Sequence, residues 1–488
     1  MSLLPASPDP TDLGAIRRRL ATAPRARQTI GLERIEIGPE ALDTLPVTVR
    51  EVLDRATGDI VVLTDSTPMT RAGRDLKAEG VARLRDAFDA DGTVIRHHVL
   101  GRDRPELHAD ERALTEADDA VEGAAVVVSI GSGTVTDIAK DASFRAHRPF
   151  IAVQTAVSVN AFSDDMAVLL RNGVKRTVPS HWPAALVIDL ATIAEAPASM
   201  NRAGFGELMA MFTAPADWYL ANAIGADDSY DPEVVRLYRE RGDRLLAAAA
   251  GVAAADQEAL AELAAQMTLT GIAMGVAGRT APLSGTEHTI SHLLDMSAER
   301  DGRGLAFHGA QVGVAAVVVA LAWRRVLRDL DPDRIAVAAA RAAPVDLASR
   351  RPRVGSAFDR LDETGAATAE CWSDYRRKVE RWNAMPEARA SLAEDWPAHR
   401  AAIQPLVLAP ESIVEGLRAA GAPTRFSELE PAIPADVARW AVASCHLMRD
   451  RFTVADLIDL SGALDGRAWD AAFADELLAE AAELGAGL

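Results

Sequence analysis

Three histidines fall close together in the chain. His288 and His292 are spaced i, i+4 in Glu287-His-Thr-Ile-Ser-His292, and His308 follows in Phe307-His-Gly-Ala-Gln-Val-Gly313. On a helix the first two share one face. His308 stands directly before an apolar run that reads as the next helix. Neutral imidazoles from neighbouring helices suit zinc, with a carboxylate completing three protein ligands and one position left open. Glu207, in Ala203-Gly-Phe-Gly-Glu-Leu208, is the candidate carboxylate on another helix. Gly204 and Gly206 beside it point to close packing or close approach of a ligand. Taken alone, the histidines read equally well as ordinary helix-face residues.

A second candidate is a glycine turn. The apolar run Val126 to Ile130 leads into Gly131-Ser-Gly-Thr-Val-Thr-Asp-Ile-Ala-Lys140. Glycines at 131 and 133 let the backbone turn sharply, and the helix that follows aims its free N–H groups and positive dipole end at the same place. That is a pyrophosphate site in outline. The third glycine of a full dinucleotide fingerprint is absent, because position 136 is Thr. A strand-to-helix turn with no ligand fits the same residues. Asp65, at the end of an earlier apolar run, is a candidate acceptor for ribose hydroxyls, and reads equally well as a turn or cap residue. Lys175 and Arg176 are candidates for a phosphate contact or, as readily, solvated turn charges.

The elements that must position these groups are of two kinds. From about 30 to 195, short apolar runs alternate with helical periodicity. Asp59 to Asp65, Gly92 to Leu100, Gly123 to Ile130, Pro149 to Val153 and Ala184 to Asp189 read as strands, with helices over Leu76 to Phe88 and Leu114 to Glu122. Such alternation implies a parallel sheet with helices on both faces. After about 196 the strand signals stop. Helices are expected over 203–223, 236–253, 256–277, 286–296, 311–327 and 435–451. The expected organisation is an arm over 1–28, a nucleotide-binding α/β domain over 29–195 and a helical metal and substrate domain over 196–488. Within the latter, 340–410 reads as a helical insertion carrying Trp372, Trp382 and Trp396.

The chain has 488 residues, with 52 Lys and Arg against 71 Asp and Glu, a net charge of −19. That balance gives no global attraction for nucleic acid or anionic membrane, so neither is an expected partner. The longest apolar stretch, near Val312 to Trp323, is too short to span a bilayer, and Met1 to Pro10 does not read as a signal peptide. The two cysteines, Cys371 and Cys445, form no CxxC pair. A thiolate metal site is not expected, and a reducing, cytoplasmic setting is.

In combination these segments resemble a known superfamily. Gly131 to Lys140 is similar to the GGGxxxDxAK loop of the glycerol dehydrogenases, iron-containing alcohol dehydrogenases and dehydroquinate synthases. The resemblance is strongest to the sn-glycerol-1-phosphate dehydrogenases, supported by Val153-Gln-Thr-Ala-Val-Ser-Val-Asn-Ala-Phe162, Ala216-Asp-Trp218, Ser284 to His292, His308 to Gly313, Leu417 to Pro423 and Arg451 to Leu457. It runs from about residue 30 to 462, with 340–410 matching poorly.

The resemblance implies the dehydroquinate synthase-like fold, an α/β nucleotide-binding domain with a parallel sheet followed by an all-α domain. It implies NAD or NADP as cofactor, and one divalent metal, zinc with nickel or iron as alternatives. Glu207, His288 and His308 would be metal ligands. His292 would be the catalytic residue facing the substrate, alongside Asn160 and Glu207. Gly131, Ser132, Gly133, Thr134 and Val135, together with Thr155, Ala156, Val157 and Ser158, would hold the dinucleotide, with Asp65 at the ribose. The substrate would be a small phosphorylated polyol or ketone, and homo-oligomer formation is left open. Three positions depart from the family. Its usual metal Asp is Glu207 here, although the dehydroquinate synthase branch uses Glu. Its substrate-binding Asp is Asn160, and a common Lys one turn after the metal carboxylate is Met211. Other readings are a dehydrogenase of another polyol, a dehydroquinate-synthase-like cyclase, and an inactive nucleotide-binding relative.

Overall fold

The computed structural model describes residues 8–53, 58–104, 106–171, 174–340, 345–361 and 364–488. The first part of the expected arm, residues 1–7, and part of the expected insertion lie outside them. The chain forms two compact units, residues 1–204 with 231–279, and residues 205–230 with 280–488.

The first unit is built on a six-stranded sheet. Its strands are β1 (Arg34–Gly38), β2 (Asp59–Asp65), β3 (Ile95–Leu100), β4 (Ala124–Gly131), β5 (Phe150–Gln154) and β6 (Ala185–Asp189). The spatial order is β1-β6-β5-β4-β2-β3, and every pairing is parallel. β4, β5 and β6 are buried along their whole length. Their Val, Ile and Ala side chains are needed on both faces, because helices cover both faces of a parallel sheet. On one face Val62, Val128, Ile130 and Val153 pack with Leu42, Leu76, Leu84 and Phe88 in a single core cluster. The register pairs Leu63 with Ser129 and Gly131 with Gln154. The C-terminal ends of β2, β4 and β5 therefore lie side by side, which puts Asp65, the 131–135 turn and Thr155 on one edge of the sheet.

Three strand features escaped the sequence pattern, one of them a two-residue antiparallel ribbon of Thr70–Arg71 with Arg74–Asp75. β1 reads Arg-Ile-Glu-Ile-Gly and is only half buried, as an edge strand should be. An antiparallel ribbon, Met166–Arg171 with Val174–Pro179, lies outside the main sheet.

The linear division expected at 195 is not the one the chain makes. The helices Pro232–Arg239, Gly242–Ala253 and Gln257–Ala277 belong with the sheet. The physical reason is a glycine face on Gln257–Ala277. A Cβ at Gly271 would stand 2.4 Å from the Asn160 carbonyl oxygen, and one at Gly275 would stand 2.2 Å from the Trp182 ring. Periodicity reports that such a helix exists but not which surface its small residues fit. The expected arm is also corrected over its described part. Leu13, Ile16 and Leu20 of the helix Leu13–Leu20 are buried, and Arg17 donates to the Leu32 carbonyl at 2.5 Å.

The second unit is helical. The expected helix over 203–223 is divided into Ala198–Leu208, a short 3-10 turn and Ala214–Ala223, with Pro215 in the first turn of the last. Thr286–Arg300 and His308–Asp329 run close to the expected spans. The length argument against membrane spans does not hold as expected. Gln257–Ala277 and His308–Asp329 are long and apolar enough to cross a bilayer by length and composition, and most of each is buried within the protein. The described part of the 340–410 segment forms the helices Leu347–Phe358, Ala366–Ala384, Pro386–Glu394 and Trp396–Ile403. It is tied by ion pairs to two buried carboxylates of the helix Val454–Ser461. Arg350 and Arg353 each approach Asp459 at 2.7 Å, and Lys378 approaches Asp456 at 2.7 Å. Trp382 stacks on Phe452 with ring centroids 5.3 Å apart.

Candidate active site

Glu207, His288 and His308 come together in the second unit, with one ligand atom from each lying within 4.8 Å of the others. Small residues make this approach feasible. A Cβ at Gly206 would stand 2.4 Å from the Gly309 carbonyl oxygen, and one at Gly313 would stand 2.9 Å from the Gly206 Cα. Only glycines let the end of the Glu207 helix close onto the start of the His308 helix. His288 Nε2 is 3.4 Å from Glu207 Oε1, and His308 Nε2 is 3.9 Å from Glu207 Oε2. Glu207 and His288 are buried and His308 is partly so.

The outer nitrogens of both rings are held by hydrogen bonds that fix their tautomers. The Glu287 carboxylate lies 3.0 Å from His288 Nδ1, so that nitrogen donates to it. Glu287 is fully buried and also accepts from the Gly285 N–H at 2.6 Å and from Thr213 Oγ1 at 2.9 Å. At His308 a relay sets the proton. Gln311 Nε2 donates to Asp295 at 2.9 Å, which turns its oxygen toward Ser291. Ser291 Oγ donates to that oxygen at 2.8 Å and accepts from His308 Nδ1 at 2.9 Å. Both Nε2 atoms then face Glu207. This is the arrangement by which metal-binding histidines are held, with the second ring nitrogen fixed by a carboxylate or another hydrogen-bonding group. Burial opposes a charge on His288, but the Glu207 charge and hydrogen bond, joined by Glu287, outweigh it and raise its pKa to about 9. Without a metal, the site attracts a proton to the place where a cation fits. The donor set of two imidazoles and a carboxylate suits a divalent metal such as zinc.

Glu287, Ser291 and Gln311 were not singled out by the sequence. The position of Glu287 next to a candidate ligand was the available signal. Glu287→Gln keeps the shape and removes the charge that orients His288. Metal affinity is expected to fall roughly 10–100-fold with the fold intact. Chelator competition measures this, and an unchanged affinity would leave Glu287 no orienting role.

Asp217, quoted above only as part of the segment Ala216-Asp-Trp218, also has a structural role. It accepts from Thr286 N and Oγ1 at 2.9 and 2.8 Å and from Val454 N at 2.9 Å, and so joins the first turns of two helices. Burial and then the Glu287 charge push its pKa up to about 7.

In the first unit the helix Gly133–Arg145 begins at the glycine turn, with Ser132 as its N-cap. The Ser132 side chain makes no capping hydrogen bond. The first-turn N–H groups at 133–135 have no partner within the helix and can serve an anionic ligand. The two glycines differ in purpose. A Cβ at Gly131 would stand 2.6 Å from the Val135 Cβ, whereas one at Gly133 meets only Val159 Cγ2 at 3.0 Å. The first is needed for packing of the turn, and the second keeps the approach to the helix open. Thr155 N donates to the Gly131 carbonyl at 3.3 Å, so the stretch Thr155, Ala156, Val157 and Ser158 runs beside this turn. Lys140, fully buried, donates to the Ala161, Asp164 and Met166 carbonyls and pairs with the Asp164 carboxylate at 2.9 Å. It anchors the turn that carries Asn160, which is buried with no hydrogen-bond partner for Nδ2.

The surroundings of the remaining candidates are as follows in the structure. Asp65 pairs with Lys77 and accepts from Thr67 Oγ1 at 2.5 Å. His292 lies beside the cluster, its ring centroid 5.5 Å from that of His308 and 6.4 Å from that of His288. Met211 is buried. Arg176 is half-buried on the antiparallel ribbon, and the Lys175 side chain falls outside the described residues.

A parallel sheet bearing a glycine turn, with a histidine-carboxylate cluster on helices, has the make-up of a nucleotide- and metal-dependent dehydrogenase. Residues 36–197 match the family model described as iron-containing alcohol dehydrogenase. The chain is 27% identical over 437 residues to a glycerol-1-phosphate dehydrogenase (NAD(P)+) of Bacillus licheniformis, covering 89% of this chain and 90% of the relative. It is 30% identical over 316 residues to the Bacillus subtilis protein of the same name, covering 64% and 77%. It is 30% identical over 281 residues to that of Aeropyrum pernix, covering 56% and 77%. Among solved structures, a probable glycerol dehydrogenase from Sinorhizobium meliloti 1021 shares the fold with a TM-score of 0.56 at 16% identity, over 94% of this chain and 99% of that one. A maleylacetate reductase from Rhizobium sp. strain MTP-10005 does so with a TM-score of 0.52 at 16% identity, over 93% and 97%. The chain belongs to the glycerol-1-phosphate dehydrogenase family, within the superfamily of the iron-containing alcohol dehydrogenases.

Proposed function

We propose that this protein is a metal-dependent, NAD(P)-linked dehydrogenase that interconverts a glycerol-1-phosphate-like alcohol and a dihydroxyacetone phosphate-like ketone. The observation that supports it most is the convergence of Glu207, His288 and His308, with both imidazole Nε2 atoms turned inward by outer hydrogen bonds. A divalent metal held there, zinc or alternatively nickel or iron, supplies Lewis acidity to an alcohol or carbonyl oxygen. A nicotinamide dinucleotide supplies or accepts the hydride.

The chain's own residues do the rest. Glu287 and Ser291 keep the ligand rings aligned. His292 holds the proton that the substrate hydroxyl loses or gains, and Asn160 hydrogen-bonds a substrate hydroxyl. The first-turn N–H groups at 133–135 bind the pyrophosphate, beside Thr155, Ala156, Val157 and Ser158. Two buried free thiols, Cys371 and Cys445, agree with a reducing, cytoplasmic setting.

The test is a nicotinamide absorbance assay with dihydroxyacetone phosphate and related ketones, using both cofactors and protein loaded with zinc, nickel or iron. Turnover of dihydroxyacetone phosphate is expected to be weak. Asn160→Asp restores a charged hydrogen bond and should improve it about ten-fold. If Asn160→Asp lowers that activity while the wild type reduces another ketone well, the dehydrogenase class stands and the glycerol phosphate substrate falls. Substrate conversion without net nicotinamide change would instead indicate a cyclase of the dehydroquinate synthase kind.

A further inference from the structure

The helix Thr286–Arg300 carries His288 in its first turn, yet its N-cap residue is Gly285, which has no side chain to cap it. The first-turn N–H groups of a helix need an acceptor, and a Ser or Asp at 285 would supply one locally. Here the acceptor comes from another element. Asp217 Oδ2 accepts from Thr286 N at 2.9 Å and from Thr286 Oγ1 at 2.8 Å. Gly285 is what admits it. Its φ of −113° lies outside the left-handed region, but a Cβ there would stand 2.7 Å from Asp217 Oδ2, 3.0 Å from Glu287 Oε2 and 3.1 Å from the Ala214 Cα. The other Asp217 oxygen accepts at 2.9 Å from the N–H of Val454, the first residue of the helix Val454–Ser461. One buried carboxylate thus caps two helices.

The contacts run in order along both segments. Glu207 faces His288 at 3.4 Å, Thr213 Oγ1 donates to Glu287 at 2.9 Å, and Asp217 holds Thr286. Residues 207, 213 and 217 therefore meet 288, 287 and 286 in turn. They fasten the segment that bears the carboxylate ligand to the helix that bears a histidine ligand. Arg451 fixes the approach to that helix, donating to the Ser284 carbonyl and to Thr280 Oγ1 at 2.7 Å. A helix rises about 1.5 Å and turns about 100° per residue, so a small slip at its start carries His288 away from Glu207. A local cap would stabilise the helix equally well without tying it to Glu207. Capping from the Glu207 segment does both.

We propose that Asp217 is a positioning residue of the metal site, which sets the height and rotation of His288 against Glu207 by capping the helix Thr286–Arg300, and so tunes metal affinity and coordination geometry. This rests on the reading of Glu207, His288 and His308 as metal ligands. Asp217 acts through Thr286 and not on the metal. A carboxylate suits the task, because both of its oxygens accept, whereas an amide of the same shape turns a donor toward one of the two helices.

The experiment titrates cobalt(II) into metal-free, full-length protein and records the visible absorption bands, which report coordination geometry, together with the thermal midpoint. In Asp217→Asn, cobalt affinity is expected to fall about ten-fold and the bands to shift. Thr286→Val removes only the hydroxyl donor. It should weaken cobalt about three-fold and shift the bands in the same direction, and it decides alone if Asp217→Asn does not fold. Asp470→Ala is the control. Asp470 accepts from Phe473 N at 3.0 Å and caps the helix Ala471–Glu483, which bears no ligand, so its loss should lower the midpoint and leave the cobalt titration and bands as in the wild type. A wild-type titration and spectrum in Thr286→Val would overturn the proposal, and so would an Asp217→Asn protein that is less stable but binds cobalt normally. An equal loss of cobalt affinity in Asp470→Ala would also overturn it, as a general effect of stability. Those results leave the metal ligands standing. A wild type that takes up no cobalt would overturn both readings.

Discussion

His288→Ala and His308→Ala are each expected to yield protein without stoichiometric metal and with turnover reduced on the order of 10³-fold. Each histidine offers one Nε2 to a cluster whose ligand atoms lie within 4.8 Å of one another, and no other described His, Cys, Asp or Glu joins that group. Removing one of three protein ligands leaves two, which is short of what zinc sites with an open position use. Folding should survive His308→Ala in particular, because His308 is only partly buried. His292→Ala is the informative contrast. Its ring stands outside the ligand group, so metal content should persist while turnover falls. Metal content by elemental analysis decides the matter. Full occupancy in both the His288 and His308 variants would remove the assignment.

Gly133→Val is expected to weaken nicotinamide dinucleotide binding about 10²-fold while metal content stays unchanged. The choice of Gly133 over Gly131 comes from the packing around each. A side chain at Gly131 would collide with Val135, so its loss would disturb the turn itself. At Gly133 a Cβ meets one methyl carbon at 3.0 Å, and that neighbour can give by a few tenths of an ångström. The branched carbons of valine then occupy the approach to the first-turn N–H groups, where a pyrophosphate would have to lie. Fluorescence titration with the reduced cofactor measures the loss. Titration indistinguishable from wild type would make the loop a plain turn.

The sheet was legible where burial is two-sided. β4, β5 and β6 are unbroken apolar runs, and such runs between turn residues announce themselves. β1 was not, because an edge strand with Arg34 and Glu36 on it carries no apolar run. The ligand histidines were readable from residue type and spacing, but the residues that aim them were not. Glu287, Ser291 and Gln311 acquire their roles only when Thr286–Arg300 and His308–Asp329 meet, and pairing of helices is tertiary information. The allocation of residues 231–279 to the first unit was hidden for the same reason. Gly271 and Gly275 are unremarkable in a helix until the turn at 160–163 and Trp182 are seen to fill the space that they leave.

The ion pairs that seat the 347–403 helices also constrain what the chain can lose. Asp456 and Asp459 sit on a buried helix and face cations that come from the added segment. Burial alone already lifts the Asp456 pKa to about 6, against the pull of Lys378. Excising the segment would strand two carboxylates in an apolar setting, at a cost of several kcal/mol each. The 347–403 helices and these two aspartates therefore depend on each other energetically. The segment could be removed without that cost only if the charge at both positions were neutralised first, and Asp456 would even then be missed as the acceptor of the Thr453 N–H that caps its own helix.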